Sequence, residues 1–155
     1  MNEFAEGGMT RRQKTYTRVF DAPRELVWKA WTHPEQLTLW WGPLGISTPL
    51  ETIEVDLQPG GAFRMTMVSD ADGTEFPTEM EFREVVEPER LVFAWEAQRG
   101  LGAGQVTVTF TDVGGKTEVS AHFDGFTTDE IQADSEVGWN QQLDKLAELL
   151  TKAHD

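Results

Sequence analysis

Apolar residues recur along this chain with two periods, and the switch between them divides it. From Thr52 to Asp124 the period is two, held through six segments. One face collects Ile53, Val55 and Leu57, then Phe63, Met65 and Met67, then Met80 and Phe82. It continues through Leu91, Phe93 and Trp95, then Val106, Val108 and Phe110, and ends on Val119, Ala121 and Phe123. Between them stand Glu54, Asp56, Arg64, Thr66, Glu79, Glu81, Arg83, Thr107, Thr109, Glu118, Ser120 and His122. Strands with one dry face and one wet face are therefore predicted. Turn-formers separate them: Pro59-Gly60-Gly61, Asp70 to Gly73, Glu87-Pro88-Glu89, Gly100 to Gly104, and Gly114-Gly115. Links this short favour antiparallel pairing, because a parallel crossover needs about a dozen residues or more.

After Asp124 the period becomes helical. Trp139, Leu143, Leu146 and Leu150 fall at i, i+4, i+7 and i+11 with Ala147 beside them, while Gln141, Gln142, Asp144, Lys145 and Glu148 make the wet side. The helix is expected from Thr127 to about Ala153. Thr127 as N-cap with Glu130 makes a capping box, and Phe126 and Ile131 are placed for a hydrophobic staple. Some 25 residues give roughly 35–40 Å, enough to cross a domain. At the other end, Thr15 to Phe20 reads as a first strand, and Pro23 opens a helix whose buried side is Leu26, Val27, Ala30 and Trp31. A second short helix runs from Pro34 to Trp41, carrying Leu37, Trp40 and Trp41, and Gly42-Pro43 stops it. Residues 1–13 are expected to be a disordered arm, and 14–153 a single domain.

A sheet with one apolar face must be covered, and only the C-terminal helix is long enough to do so. The expected fold is α+β: a curved antiparallel seven-stranded sheet wrapped around that helix, with two short helices between strands 1 and 2. A twisted sheet and a straight rod fit imperfectly, and the gap between them is a natural ligand site.

Composition narrows the function classes. Asp and Glu number 27 against 13 Lys and Arg, a formal charge of −14, so nucleic acid and anionic bilayers are repelled. Arg11, Arg12 and Lys14 form the one basic patch and read as a solvated arm. At 155 residues the chain buries a core without staples, and it has no cysteine to make them, as suits a reducing compartment. The first residues lack the apolar centre of a signal peptide, and no run of apolar residues spans a bilayer. A cytoplasmic protein without membrane insertion is expected.

Several stretches together resemble a known family. They are Phe20 to Trp41 followed by Gly42-Pro43, Gly60 to Arg64, Glu87 to Trp95, Val106 to Phe110 with Gly114 to Glu118, and Gly138-Trp139 leading to Leu143 through Leu146. They look like the family of homologues of the activator of the heat-shock ATPase, within the START-like or SRPBCC superfamily. The resemblance covers about Thr15 to Leu150. It implies the helix-grip fold of the birch-pollen allergen, with a largely apolar cavity that different members use for lipids, sterols, polyketides or aromatic rings, sometimes with catalysis. It also implies a stress-response link, since the family is named after a eukaryotic co-chaperone. In that protein a separate N-terminal domain precedes the one resembled, and this chain is expected to have no room for it.

The residues themselves offer little catalytic chemistry. His122 alternates onto the wet face, His33 precedes Pro34 where two helices join, and His154 lies in the tail. With no cysteine and no triad, no catalytic residue is assigned, and no cofactor or metal is expected. Asp70 to Gly73 lacks the further ligands of a calcium loop and reads as a hairpin turn. Gly100 to Gly104 joins strand to strand and reads as a flexible loop at a cavity mouth. The remaining signal is aromatic and thioether surface. Trp40, Trp41, Phe63, Met65, Met67, Met80, Phe82, Phe93, Trp95, Phe123 and Trp139 are the candidate lining, with Ser135 and Glu136 as candidate polar anchors one turn before Trp139. A Glu136 facing a dry pocket would have its pKa raised by desolvation. The expected partner is a small apolar molecule. Two alternatives stay open: a chaperone- or regulator-interacting protein using Glu79, Glu81, Glu84 and Glu118, or a cyclase or hydrolase of the same superfamily.

Overall fold

The structure, a computed structural model, describes residues 9–98 and 102–154. β1 (Thr10–Phe20) is followed by α1 (Arg24–Thr32) and α2 (Pro34–Trp40). Two short strands, β2 (Ile46–Ser47) and β3 (Glu54–Val55), flank a single 3-10 turn at Leu50–Thr52. β4 (Ala62–Ser69), β5 (Glu75–Val86), β6 (Arg90–Trp95), β7 (Gly104–Val113) and β8 (Lys116–Thr127) then form an antiparallel meander, and α3 (Asp129–His154) follows. The sheet order is β1-β8-β7-β6-β5-β4-β2, with β3 also paired to β4. This is the predicted α+β architecture, a curled antiparallel sheet gripping a long C-terminal helix, with the two short helices between the first strands.

The differences lie at the edges. The expected strand around Ile53 to Leu57 shrinks to two residues: the 3-10 turn takes its start, and after Val55 the Asp56 N–H still donates to the Ala62 carbonyl at 2.8 Å where the chain turns toward β4. β1 begins at Thr10, so residues 10–13 are strand where a disordered arm was expected; residues 1–8 lie outside the described residues. The physical reason is that β8, one residue longer than β1, pairs with it from Thr10↔Thr127 to Phe20↔Thr117. The basic patch is likewise engaged rather than free: Arg11 holds Asp124 through two hydrogen bonds of 2.8 and 2.7 Å, Arg12 pairs with Asp129, and Lys14 lies 3.5 Å from Glu136.

β5 carries a register shift between Phe82 and Glu84. Phe82 faces inward opposite Phe93, but beyond the shift it is Val85, opposite Leu91, that packs on the core, while Glu84 pairs with Arg90. Such a bulge bends the strand and helps the sheet curl.

Two centres of packing hold the molecule. Between α1 and α2, Trp31 meets Trp40 at 4.8 Å and Phe110 at 6.2 Å, and the Trp40 indole donates to the Ala30 carbonyl at 2.9 Å. On the sheet, Phe63 stacks on Phe82 at 4.9 Å and meets Phe93 edge-on at 5.1 Å. α3 covers both, burying Leu143, Leu146 and Leu150 against α1, α2 and the sheet. Gly42 ends α2 with φ +108°, a conformation that favours glycine, and the chain turns there beneath α3.

The start of α3 is one residue later than its sequence suggests. Thr128, not Thr127, caps it: Thr128 Oγ1 accepts from Ile131 N–H at 3.1 Å. Thr127 still belongs to β8, and its buried hydroxyl has no partner among the described residues. Thr128→Ala is therefore expected to cost about 1 kcal/mol, lowering the melting temperature by roughly 2–4 °C. Thr127→Val is expected to leave the melting temperature unchanged or raise it, since an unpaired hydroxyl is replaced by a methyl. Thermal unfolding of the two variants checks both, and the reverse ranking would restore Thr127 as the cap.

Candidate ligand cavity beneath the long helix

α3 is seated unevenly. Its C-terminal half presents leucines inward, but the same stripe continued toward the N-terminus reads Gln142, Gly138 with Trp139, Ser135 and Ile131. Gln142, Gly138 and Ser135 stand on that stripe where leucines would otherwise reach down, so the helix does not fill the trough below it. A cavity of about 440 Å³ results, bounded above by those five α3 residues. Its walls are Tyr16 of β1, Phe123 of β8, Val106 of β7, Phe93 and Trp95 of β6, Thr78 and Met80 of β5, Met67 of β4, and Trp41 with Pro43 beyond α2.

Glycines shape its floor. Gly104 of β7 pairs with Gly125 of β8 and with Trp95 of β6. A Cβ on Gly104 would stand 2.7 Å from the Trp95 ring, so the bare backbone lets the indole lie across β7. The indole N–H then donates to the Gly102 carbonyl at 2.8 Å, anchoring the ring at the mouth. Residues 99–101 of the loop expected to gate this mouth lie outside the described residues.

Of the residues singled out from the sequence, Trp41, Met67, Met80, Phe93, Trp95, Phe123, Ser135 and Trp139 border the cavity. Trp40, Phe63, Met65 and Phe82 do not. All four face inward as expected, but Trp40 is turned toward α1 and the other three are consumed in the core packing beside the cavity, where Phe63 stacks on Phe82 behind Phe93 and Trp41. Ser135 stands exposed at the rim. Glu136 is off the lining and pairs with Lys14, with side chains 41% and 43% exposed, so it does not occupy a dry pocket.

Tyr16 and Gln142 are the additions that matter. Tyr16 alternates with Arg18 and Phe20 on the inner face of β1, and lies 5.5 Å edge-on to Phe123 and 6.4 Å from Trp139. Burial, and then the nearby negative charge of Glu136, push its phenol up to about 12. Gln142 reads as polar surface by hydropathy but is 4% exposed. Its position three residues after Trp139 and four before Leu146 is the signal that puts it on the inner stripe. Gln142 Oε1 accepts from Gly42 N–H at 3.0 Å, Gln141 Oε1 accepts from Leu44 N–H at 3.1 Å, and Lys145 Nζ donates to the Gly42 carbonyl at 2.8 Å. These three side chains of α3 pin the turn after α2, and with it Trp41 and Pro43, to the cavity wall. Burial pulls the Lys145 ammonium below its ordinary pKa.

Among the described residues no histidine lines the cavity, and His122 is held on the wet face with its Nδ1 2.7 Å from Thr15 Oγ1. Arg12, Lys14 and Asp134 stand at the rim with Ser135, whereas the interior is mostly aromatic, aliphatic and thioether, with Thr78, Thr127 and Gln142 as its less exposed polar residues. Among the described residues, no group of three or more His, Cys, Asp or Glu side chains could hold a metal ion, and no helix is long and apolar enough to cross a membrane. Asp70 to Gly73 is the turn between β4 and β5, where Asp72 accepts from the Thr74 amide and hydroxyl at 3.0 and 2.7 Å.

Solved structures share this architecture over nearly the whole chain. A protein from Chromobacterium violaceum is 28% identical, with a TM-score of 0.79 over 90% of this chain and 97% of that one. An AHSA1-like protein from Aeromonas hydrophila is 26% identical, with a TM-score of 0.77 over 92% and 94%. The AHSA1 protein from Silicibacter pomeroyi, at 22% identity, shares the fold with a TM-score of 0.80 over 92% and 100%. None of the curated proteins matches. Residues 21–151 match the family described as Activator of Hsp90 ATPase homolog 1-like protein, from the turn before α1 to the last turns of α3. By that match, the chain belongs to the AHSA1 family.

Proposed function

We propose that this protein binds a small, mostly apolar molecule in the cavity between the N-terminal half of α3 and the sheet. The observation that carries the reading is the cavity itself, about 440 Å³ with aromatic and thioether walls and an open, polar rim. That volume falls in the roughly 300–1,000 Å³ range of small-molecule sites, and apolar walls with a few polar groups are their usual make-up. A lipid chain, a sterol, a polyketide or another aromatic ring would displace water from Trp95, Trp139, Phe123 and Met80. Each well-covered aromatic surface contributes about 1.5–3 kcal/mol to such a contact. The acidic-surface alternative has less support, because Glu81 lies 3.7 Å from Arg83 and Glu84 2.8 Å from Arg90.

Native mass spectrometry of the purified protein, with thermal shifts against fatty acids, sterols, flavonoids and aromatic polyketides, tests the proposal. A retained mass or a raised melting temperature is expected for at least one class. Silence across the panel would count decisively against it. Thr78→Phe places a ring into the cavity from a half-exposed strand position where an aromatic is well tolerated. It should weaken the active compound at least roughly tenfold, about 1.4 kcal/mol, without lowering the melting temperature.

Tyr16 supplies an optical probe, being the sole tyrosine. Its phenol ionises near pH 12 in the folded protein against an ordinary 10.0. The neutral form is thus favoured by folding, so this contribution to stability is complete below pH 10 and is lost as pH rises toward 12. Ultraviolet titration of tyrosinate should show the raised midpoint in the free protein, a lower one in Glu136→Gln, and a higher one with a guest bound beside the ring. A midpoint near the ordinary value would mean that the phenol is bathed in water.

A further inference from the structure

Arg12, Lys14 and Tyr16, alternate positions on the inner face of β1, all line the cavity. Arg11, the third cation of this stretch, faces the other way and is held by Asp124. Arg12 and Lys14 are reached from the open space, with side chains 26% and 43% exposed, and neither has all its donors in use. Arg12 Nε donates to Thr10 Oγ1 at 3.0 Å, and Nη1 donates to Asp129 and, at 3.4 Å, to Gln132 Oε1. Its Nη2 makes no hydrogen bond among the described residues. Asp129 is 94% exposed, so its hold on Arg12 is weak. Lys14 Nζ lies 3.5 Å from Glu136, a carboxylate off the lining, and keeps two further donors. The same ammonium is 5.9 Å from the centre of the Tyr16 ring. From there the walls are aromatic, with Phe123 5.5 Å and Trp139 6.4 Å from that ring. Two cations with unused donors thus stand one ring away from the apolar interior.

Resting on the cavity reading above, we propose that Arg12 and Lys14 form the head-group site of the guest, and that the guest is an amphipathic carboxylate: its apolar body lies beneath α3 and its charged end sits at the rim between the two cations. Such a head group accepts from Arg12 Nη2 and Lys14 Nζ, and charge-assisted hydrogen bonds of this kind are roughly twice as strong as neutral ones. At the open rim it also keeps contact with water, so it escapes the cost of burying a charge among the aromatic walls. A neutral head group gains less here, and an ammonium meets two like charges. Of the two carboxylates in the lining, Asp124 is held by Arg11 and Asp134 is exposed on α3. The chain's charge of −14 does not reverse the preference, because salt screens exposed charges beyond roughly 8 Å, whereas these two cations touch the head group.

Three probes that share one body separate the head group from the cavity: 1-pyrenebutyrate, its primary amide, and 4-(1-pyrenyl)butylamine, whose ends are anionic, neutral and cationic at neutral pH. Energy transfer from tryptophan to pyrene, titrated on the full chain, is expected to show the carboxylate bound roughly tenfold tighter than the amide, with the ammonium weakest. In the double variant Arg12→Gln, Lys14→Gln the ratio of carboxylate to amide affinity should fall to about one. Amide binding should persist there, which shows that the cavity is intact. Arg11→Gln removes the same charge from the opposite face of the strand and should leave the ratio as it is. Equal affinities for carboxylate and amide in the unaltered protein, a preference that survives the double variant, or an equal loss in Arg11→Gln would each overturn the head-group site. If no probe binds and no compound of the wider panel raises the melting temperature, the cavity reading falls and the site with it. If the amide or another neutral guest binds and the carboxylate has no advantage, the head-group site alone falls.

Discussion

Helix α3 is fastened hard at one end and lightly at the other, and most of the molecule's character follows. In its C-terminal half Leu143, Leu146 and Leu150 are almost fully buried, each stabilising by about 1.5–3 kcal/mol. Trp139 adds a stacked contact on Trp31 at 6.1 Å, joining the helix to the tryptophan cluster of α1 and α2. The N-terminal half is held differently. Arg12 and Lys14, inward positions of the edge strand β1, pair there with Asp129 and Glu136, and Arg18 on the same side of the strand reaches Asp144 farther along the helix. Partly exposed pairs of this kind are worth about 0–1 kcal/mol each and are screened by salt. Ion pairs thus set the helix's direction over the strand, and leucines set its depth. Where the leucines stop, the depth is no longer enforced.

The sheet is shaped to match that lifted end. Side chains that would rise toward α3 are missing from the Gly104–Gly125 pair, and the space is partly taken by Trp95 laid flat from the neighbouring strand. Its indole N–H, bonded to Gly102, keeps the ring down. A larger residue at Gly104 would have to displace the ring, so the glycine and the tryptophan are coupled choices. Curvature from the β5 bulge brings Met80 and Phe93 around to the same space. The cavity is therefore built in, made by small residues above and below it and by rigid aromatic walls between.

Much of this was legible in residue order. Period-two alternation through β4 to β8 and the leucine stripe of α3 each name the side they bury, so the sheet, the helix and their mutual face follow from hydropathy alone. The boundaries were less legible because partners decide them. Thr10 to Gln13 are polar and become strand only because β8 offers backbone groups that far, and Thr127 loses the capping role to Thr128 for the same reason. The lining was readable as a list of inward residues but not as a division among them. Whether Phe63 or Phe93 reaches open space depends on where the neighbouring strands place other rings, and no local pattern carries that. Gln142 departs from its hydropathy for a sharper reason: an amide side chain belongs outside by polarity, whereas the Gly42 N–H, which needs an acceptor, draws it in.

The volume of the space also constrains what it is for. The space opens at a polar rim, and over its roughly 440 Å³ the lining side chains forgo the contacts that a filled core would supply. A sequence that needed only to fold would relieve this by extending the leucine stripe through Ser135 and Gly138. Gly138 leaves room for a side chain, since a Cβ there would meet Pro43 only at ordinary contact distance, 3.5 Å. The helix instead keeps a glycine mid-span, at a further cost of about 1 kcal/mol relative to alanine. The trough must then be either wet or occupied. Water against Trp95, Phe123 and Trp139 is poorly satisfied, and exchanging it for an apolar guest recovers the free energy that the short side chains forgo.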